Sequence, residues 1–210
     1  DKDTSRGLGD VYKRQARAYD LNVAEEKAVE GFFDQAVSDF GTVDVLINNA
    51  GITRDGLIAR SKDGEIKKMS LANWQAVIDV NLTGSFLCGR EFFVKLLEQK
   101  KPGVCINISS LSRSGNMGQS NYTATKAGVA EMTVTWAKEM ARHGIRVAAI
   151  APGYINTEMT SAIREDVKQK IIDQIPLKRM GEPNEISHSV FYILAVSYTH
   201  LTLPTRKLVL

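Results

Sequence analysis

From Ala16 to Ala195 the chain alternates short apolar runs with longer stretches in which apolar residues recur at helical spacing, and this alternation constrains the fold more than any single residue does. It is the rhythm of βαβ units, in which a helix returns each strand to a parallel neighbour, so the chain is assigned to the α/β class with a doubly wound parallel sheet. Strands are predicted at about 17–22, 43–48, 103–109 and 145–150, and helices at about 24–40, 72–99, 120–142, 160–174 and 183–195. Residues that stop helices or turn loops fall at the joints: Gly41 after Phe40, Pro102-Gly103 ahead of a strand, Gly144 after His143, and Pro152-Gly153 after Ile150. Arg60 to Ser70, with Lys62, Asp63, Gly64, Lys67 and Lys68, has little periodicity and reads as an exposed, solvated loop. One domain is expected over 16–195. The strings DVYKRQ before Ala16 and VSYTHLTLPTRKLVL after Ala195 keep no register with it and resemble translated sequencing-adapter sequence, so 1–15 and 196–210 are expected to be tails foreign to the domain.

An isoelectric point near 8.8 raises the question of an anionic partner. The excess charge sits at the ends, because 16–195 holds 21 basic and 21 acidic residues; a basic face is unsupported, and no nucleic acid is expected as a partner. No run approaches the roughly eighteen apolar residues of a membrane span, and the N-terminal string lacks the apolar stretch of a signal peptide, so a cytoplasmic location without membrane association is expected. Cys88 and Cys105 share no C-x-x-C spacing and the three histidines are scattered, which argues against both a disulfide framework and a metal site.

Four places could carry chemistry. Tyr122 and Lys126 are one helical turn apart on one face, where an ammonium beside a phenol favours the phenolate and lets the pair exchange a proton near neutral pH. Taken alone, Y-x-x-x-K is more often a helix surface. The run Val104 to Ile108 ends in Ser109-Ser110, placing hydroxyls at the carboxyl end of a strand, where open α/β sheets bind ligands; a polar strand end reads the same way. Asn81 falls in the apolar stripe through Trp74, Val77, Ile78, Leu82 and Phe86, so it is either hydrogen-bonded in the core or facing a wet site, since an unpaired buried amide costs about 1–3 kcal/mol. The strand Val43 to Ile47 runs into Asn48-Asn49-Ala50-Gly51, whose small residues allow a ligand to approach the backbone, as they would in a plain turn.

The order and spacing of these signals, with APG at 151–153 and KRMGEP at 178–183, resembles the short-chain dehydrogenase/reductase family over about 180 of the 210 residues. The resemblance implies an incomplete Rossmann-like sheet, because the family's first strand, T-G-x-x-x-G-x-G loop, second strand and last strand have no counterpart in the string; Thr4 to Gly9 matches only the tail of that loop, and a βαβ unit needs about 30 residues. It implies that Tyr122 is the general acid, that Lys126 lowers its pKa and holds the nicotinamide ribose, that Ser110 bonds the substrate carbonyl, and that Asn81 holds a water of the proton relay. Ser109 stays open as an alternative to Ser110, since the loop 111–119 is one residue short of the family pattern. Asn22 and Val23 match positions at the adenine, Asn49 and Gly51 the turn beside the ribose, and Ile155 the residue at the carboxamide, with NADP(H) favoured over NAD(H).

NNAGITRDGL at 48–57, GQSNY at 118–122 and the stretch from Ala151 to Pro183 look most like 3-oxoacyl thioester reductases of the acyl-carrier-protein and acetoacetyl-coenzyme A types, although the loop from Arg54 to Trp74 is longer than in those relatives. The expectation is therefore reduction of a 3-oxoacyl thioester to its 3-hydroxy form by a parent that is a homotetramer. The string as written, without a central strand, is expected to bind cofactor poorly and to be unstable. Reduction of another ketone or alcohol substrate, other chemistry of the superfamily, and a non-catalytic scaffold are the competing readings.

Overall fold

The computed structural model describes residues 16–161 and 164–195, and the tails expected at 1–15 and 196–210 lie outside them. Three parallel strands form the sheet: β1 (Val45–Asn48), β4 (Gly103–Ile108) and β5 (Ile145–Ile150), in the order β1-β4-β5. Val45 pairs with Val104 through to Asn48 with Asn107, and Gly103 pairs with Ile145 through to Ile108 with Ile150, which brings all three carboxyl ends to one edge. The α/β class and parallel sheet are as expected. Among the described residues β1 is an edge, with Val45 and Ile47 exposed.

Side chains of β4 alternate between two layers, as a pleated strand requires. Cys105 lies in the larger core, with Phe33 of α1 (Glu26–Phe40), Phe92 and Leu96 of α3 (Gly84–Gln99) and Trp136 of α4 (Ser120–Met140). Val104 and Ile106 point the other way, onto Ile193 of α7 (Pro183–Leu194). The first layer is tight: a Cβ on Gly89 would lie 2.5 Å from the Trp136 ring, so glycine lets α3 and α4 approach. The KRMGEP segment builds the start of α7, where Glu182 and Glu185 form a capping box and the Arg179 guanidinium bridges Glu185 at 2.8 Å.

The expected helix over 72–99 is α2 (Leu71–Ile78) and α3 joined by a π-helical turn, Asp79–Thr83, with Ser70 capping α2 through a hydrogen bond from the Asn73 amide. Three expectations are corrected. Residues 17–22 form no strand: no neighbouring strand among the described residues offers a ladder, and side chains hold the segment to α1 instead, through the Arg17–Asp39 ion pair, the Tyr19 hydroxyl on Asp39 and the Tyr19–Phe32 ring contact. The stretch read as a loop is an antiparallel hairpin, β2 (Ala59–Lys62) and β3 (Glu65–Lys68), exposed throughout. Its turn residues Asp63 and Gly64 both have positive φ, the geometry that Asp-Gly favours between two short strands. The helix expected at 160–174 is divided into α5 (Glu158–Ser161) and α6 (Glu165–Gln174).

Candidate active site

Strand alternation continues past the end of β4 and separates the two serines. Ser109 faces the α4 layer like Cys105 and Asn107; it is buried, and its hydroxyl donates to the Lys126 carbonyl at 2.7 Å. Ser110, with extended backbone, turns to the opposite side and lines a cavity of about 220 Å³ at the sheet's carboxyl edge. Its Oγ accepts from the Ser112 amide at 3.1 Å, which leaves the hydroxyl hydrogen free to donate. Tyr122, in the first turn of α4, lines the same cavity, as does Ile155.

Burial raises the Tyr122 phenol above its ordinary value; the Ser110 hydroxyl acts in the opposite direction, and the Asp55 carboxylate raises it again. The phenol is therefore protonated at neutral pH. Lys126 is almost fully buried, and loss of solvation lowers its ammonium to about 8. Its Nζ donates to the Ile108 carbonyl at 2.7 Å and stands 5.6 Å from the Tyr122 ring centroid. Burial, and not the lysine, sets the direction of the phenol's shift in the arrangement seen.

Asn81 lies behind the cavity. It is fully buried in the π-helical turn, and its amide grips the backbone of Ile52 at both ends, donating to the carbonyl at 2.9 Å and accepting from the amide at 2.8 Å. Of the two states the sequence allowed, this is the hydrogen-bonded one. The grip holds the Asn49-Ala50-Gly51 turn against α3 and α4, and a Cβ on Gly51 would stand 3.5 Å from Asn81 Oδ1 and 3.8 Å from Lys126 Nζ. A second polar chain fixes the same layer: Asn48 Nδ2 donates to Asn107 Oδ1 and to the Ser85 carbonyl, and Asn107 Nδ2 donates to Thr133 Oγ1. All these amides are buried and paired, so they position the site at no desolvation penalty left unanswered.

Other expected residues stand apart from the cavity. Asn49 is exposed at the end of β1. Asn22 is exposed and braces the entry to α1, its Oδ1 accepting from the Ala24 amide and its Nδ2 donating to Glu25. Val23 packs on α3, where a Cβ on Gly84 would come within 2.7 Å of it.

Three residues that the sequence did not single out shape the site, two on the cavity wall and one behind it. Gln119 donates to the Asp55 carboxylate at 3.0 Å and both line the wall. Asn121, fully buried, donates to the carbonyls of Arg54 and Asn73 and accepts from the Tyr122 amide, tying α4 to the segment after β1. The only sequence signal for them was their place inside the ITRDG and GQSNY strings. Among the described residues no three His, Cys, Asp or Glu side chains group as a metal site. Burial pushes the thiols of Cys88 and Cys105 up to about 11 and about 12, so neither is poised as a nucleophile.

A parallel α/β sheet that gathers a tyrosine, a buried lysine one turn on and a strand-end serine at its carboxyl edge defines an α/β oxidoreductase. Residues 2–202 match the family profile described as enoyl-(acyl carrier protein) reductase. The chain is 43% identical over 186 residues to the 3-oxoacyl-[acyl-carrier-protein] reductase FabG of Staphylococcus epidermidis, covering 88% of this chain and 72% of that protein. It is 37% identical over 202 residues to the enzyme of the same name from Aquifex aeolicus, covering 96% and 78%, and 40% identical over 185 residues to that of Thermotoga maritima, covering 88% and 72%. The chain belongs to the short-chain dehydrogenase/reductase family, and it is an oxidoreductase.

Membership implies a nicotinamide cofactor. The residues present fit its ribose end: Lys126 spends one of three N–H donors on Ile108 and keeps two for vicinal hydroxyls, while Gly51 leaves room beside the ammonium.

Proposed function

We propose that the protein is a cytoplasmic, NADPH-dependent reductase of 3-oxoacyl thioesters carried on acyl carrier protein or coenzyme A. The observation that carries this reading is the convergence of the Ser110 and Tyr122 hydroxyls on one cavity wall with Lys126 buried behind them. Three relatives at 37–43% identity that bear the name of a 3-oxoacyl-[acyl-carrier-protein] reductase support the substrate class.

The 3-oxo group is held by the free hydroxyl hydrogen of Ser110 and by the Tyr122 phenol. As negative charge builds on the carbonyl oxygen, Ser110 stabilises it and Tyr122 transfers its proton to it, leaving the 3-hydroxy thioester. Bound nicotinamide supplies the hydride. Lys126 binds the ribose hydroxyls and, as the phenol loses its proton, stabilises the phenolate. Asn81 acts as a positioning residue through the Gly51–Ile52 turn, Asn49, Gly51 and Ile155 flank the nicotinamide end, and Asn22 with Val23 take the adenine end. Two free, buried thiols support a reducing compartment, and Phe86, Val94 and Leu97 exposed on α3 support self-association to a homotetramer.

The test uses the enzyme expressed from its complete coding sequence, with acetoacetyl thioesters as substrate and oxidation of NADPH or NADH as readout. Thioester-dependent NADPH oxidation that falls at least about a hundredfold in Tyr122→Phe is expected. No thioester-dependent oxidation, or full turnover in Tyr122→Phe, would overturn the reading.

A further inference from the structure

We propose that the β2–β3 hairpin is the docking element for an acidic carrier protein that delivers the thioester to the cavity; the inference rests on the function proposed above and deepens it. Residues 59–68 hold four basic side chains, Arg60, Lys62, Lys67 and Lys68, against two acidic ones, Asp63 and Glu65, within a domain whose charges balance as a whole. All eight strand residues are exposed, and Ile66 is 77% exposed, so the hairpin's composition is not dictated by packing on the core.

The register sets Lys62 directly opposite Glu65, a favourable pair, and leaves one like-charge contact beside it. Arg60 stands directly opposite Lys67, a like-charge pair that opposes strand pairing. Glu65 offsets Lys67 at 3.1 Å, but among the described residues Arg60, Lys62 and Lys68 make no ion pair. An approaching acidic surface would relieve that repulsion.

Position ties this charge to the active site. The leading strand leaves the cavity wall through Asp55 and through Gly56, whose amide donates to the Gly118 carbonyl at 2.8 Å. The trailing strand closes on the Met69 amide, which donates to the Ile58 carbonyl, and then runs into the Ser70 cap of α2. Asn121, the residue beside Tyr122, binds the backbone on both sides of the hairpin, at Arg54 and at Asn73. The hairpin therefore rises from the rim of the site on two anchored legs. Strand alternation sets Arg60, Lys62 and Lys67 with Glu65 on one face and Lys68 with Ile66 on the other, so the basic groups line strands roughly 13 Å long instead of converging on a pocket, which suits an extended protein surface and not a single phosphate group. Exposed Ile66 adds an apolar contact of the kind that sits inside such interfaces.

The experiment compares the protein with the variant carrying Arg60→Gln, Lys62→Gln, Lys67→Gln and Lys68→Gln. Binding of a fluorescently labelled acyl carrier protein is measured by anisotropy at low and high salt, and kinetics are measured on a carrier-linked and an N-acetylcysteamine-linked 3-oxoacyl substrate. The expected result is binding weakened about tenfold with its salt dependence flattened, a matching rise in KM for the carrier-linked substrate at unchanged kcat, and kinetics on the small thioester within about twofold of the parent. Arg60→Lys alone should retain binding. Unaltered carrier affinity in the quadruple variant, or an equal loss on both substrates, would overturn the docking role. Failure of the proposed function would look different, because the parent protein would then reduce neither thioester while the anisotropy measurement still decided the hairpin's part.

Discussion

Ser109 and Ser110 are adjacent, chemically identical and sent to opposite faces by the pleat, so alanine at each should produce opposite phenotypes. Ser109 is 2% exposed and donates at 2.7 Å to the Lys126 carbonyl. Its hydroxyl is worth about 1 kcal/mol as a net hydrogen bond, and the small void left behind brings the loss to about 1–2 kcal/mol. For a domain of this size each kcal/mol moves the midpoint by about 2–4 °C, so Ser109→Ala should lower Tm by about 2–8 °C while kcat falls only severalfold. Ser110 is half-buried, accepts from Ser112 and keeps its own hydrogen for a substrate oxygen. Removing a donor aimed at a developing oxyanion costs about 10²–10³ in kcat, so Ser110→Ala should lose turnover to that extent with Tm within about 2 °C of the parent. Calorimetry and steady-state assays on the two purified variants read both quantities. Turnover lost in Ser109→Ala at unaltered Tm, with turnover kept in Ser110→Ala, would refute the assignment of the two faces.

Gly89→Ala should destabilise the fold by about 1–3 kcal/mol in denaturant melts, because its Cβ would meet the Trp136 ring at 2.5 Å where that ring is itself packed edge-on against Phe93; an unchanged midpoint would show that α3 and α4 can part freely. Lys126 titrates near 8 when folded and at the usual 10.5 when unfolded, so between those values the unfolded chain binds the extra proton and the lysine's contribution to stability rises with pH. The stability difference between the protein and Lys126→Met should shift in the protein's favour by on the order of 2 kcal/mol from pH 8 to 10, and a pH-independent difference would contradict burial of the ammonium. Cys88 and Cys105, with thiols raised to about 11 and about 12 by burial, should resist a thiol reagent at mildly alkaline pH until denaturant is added; rapid labelling of the folded protein would count against the packing described.

The short apolar runs ending in Asn48, Ile108 and Ile150, the glycine stops, and the Tyr122–Lys126 spacing were all legible in the sequence, because strand and helix periods are local properties of the chain. Asp-Gly at 63–64 also carried a local hairpin signal, which the weak periodicity of the flanking residues masked. Three things were not local. Residues 17–22 were expected as a strand, yet a strand exists only through a partner's hydrogen bonds, and side-chain contacts with α1 took their place. The choice between Ser109 and Ser110 depended on which face of β4 meets α4, and the state of Asn81 depended on the backbone of Ile52, 29 residues away. The protonation balance of Tyr122 and Lys126 followed from burial among elements distant in sequence. Chain order thus determined which residues could work together, and packing decided which way each one faces and what charge it holds.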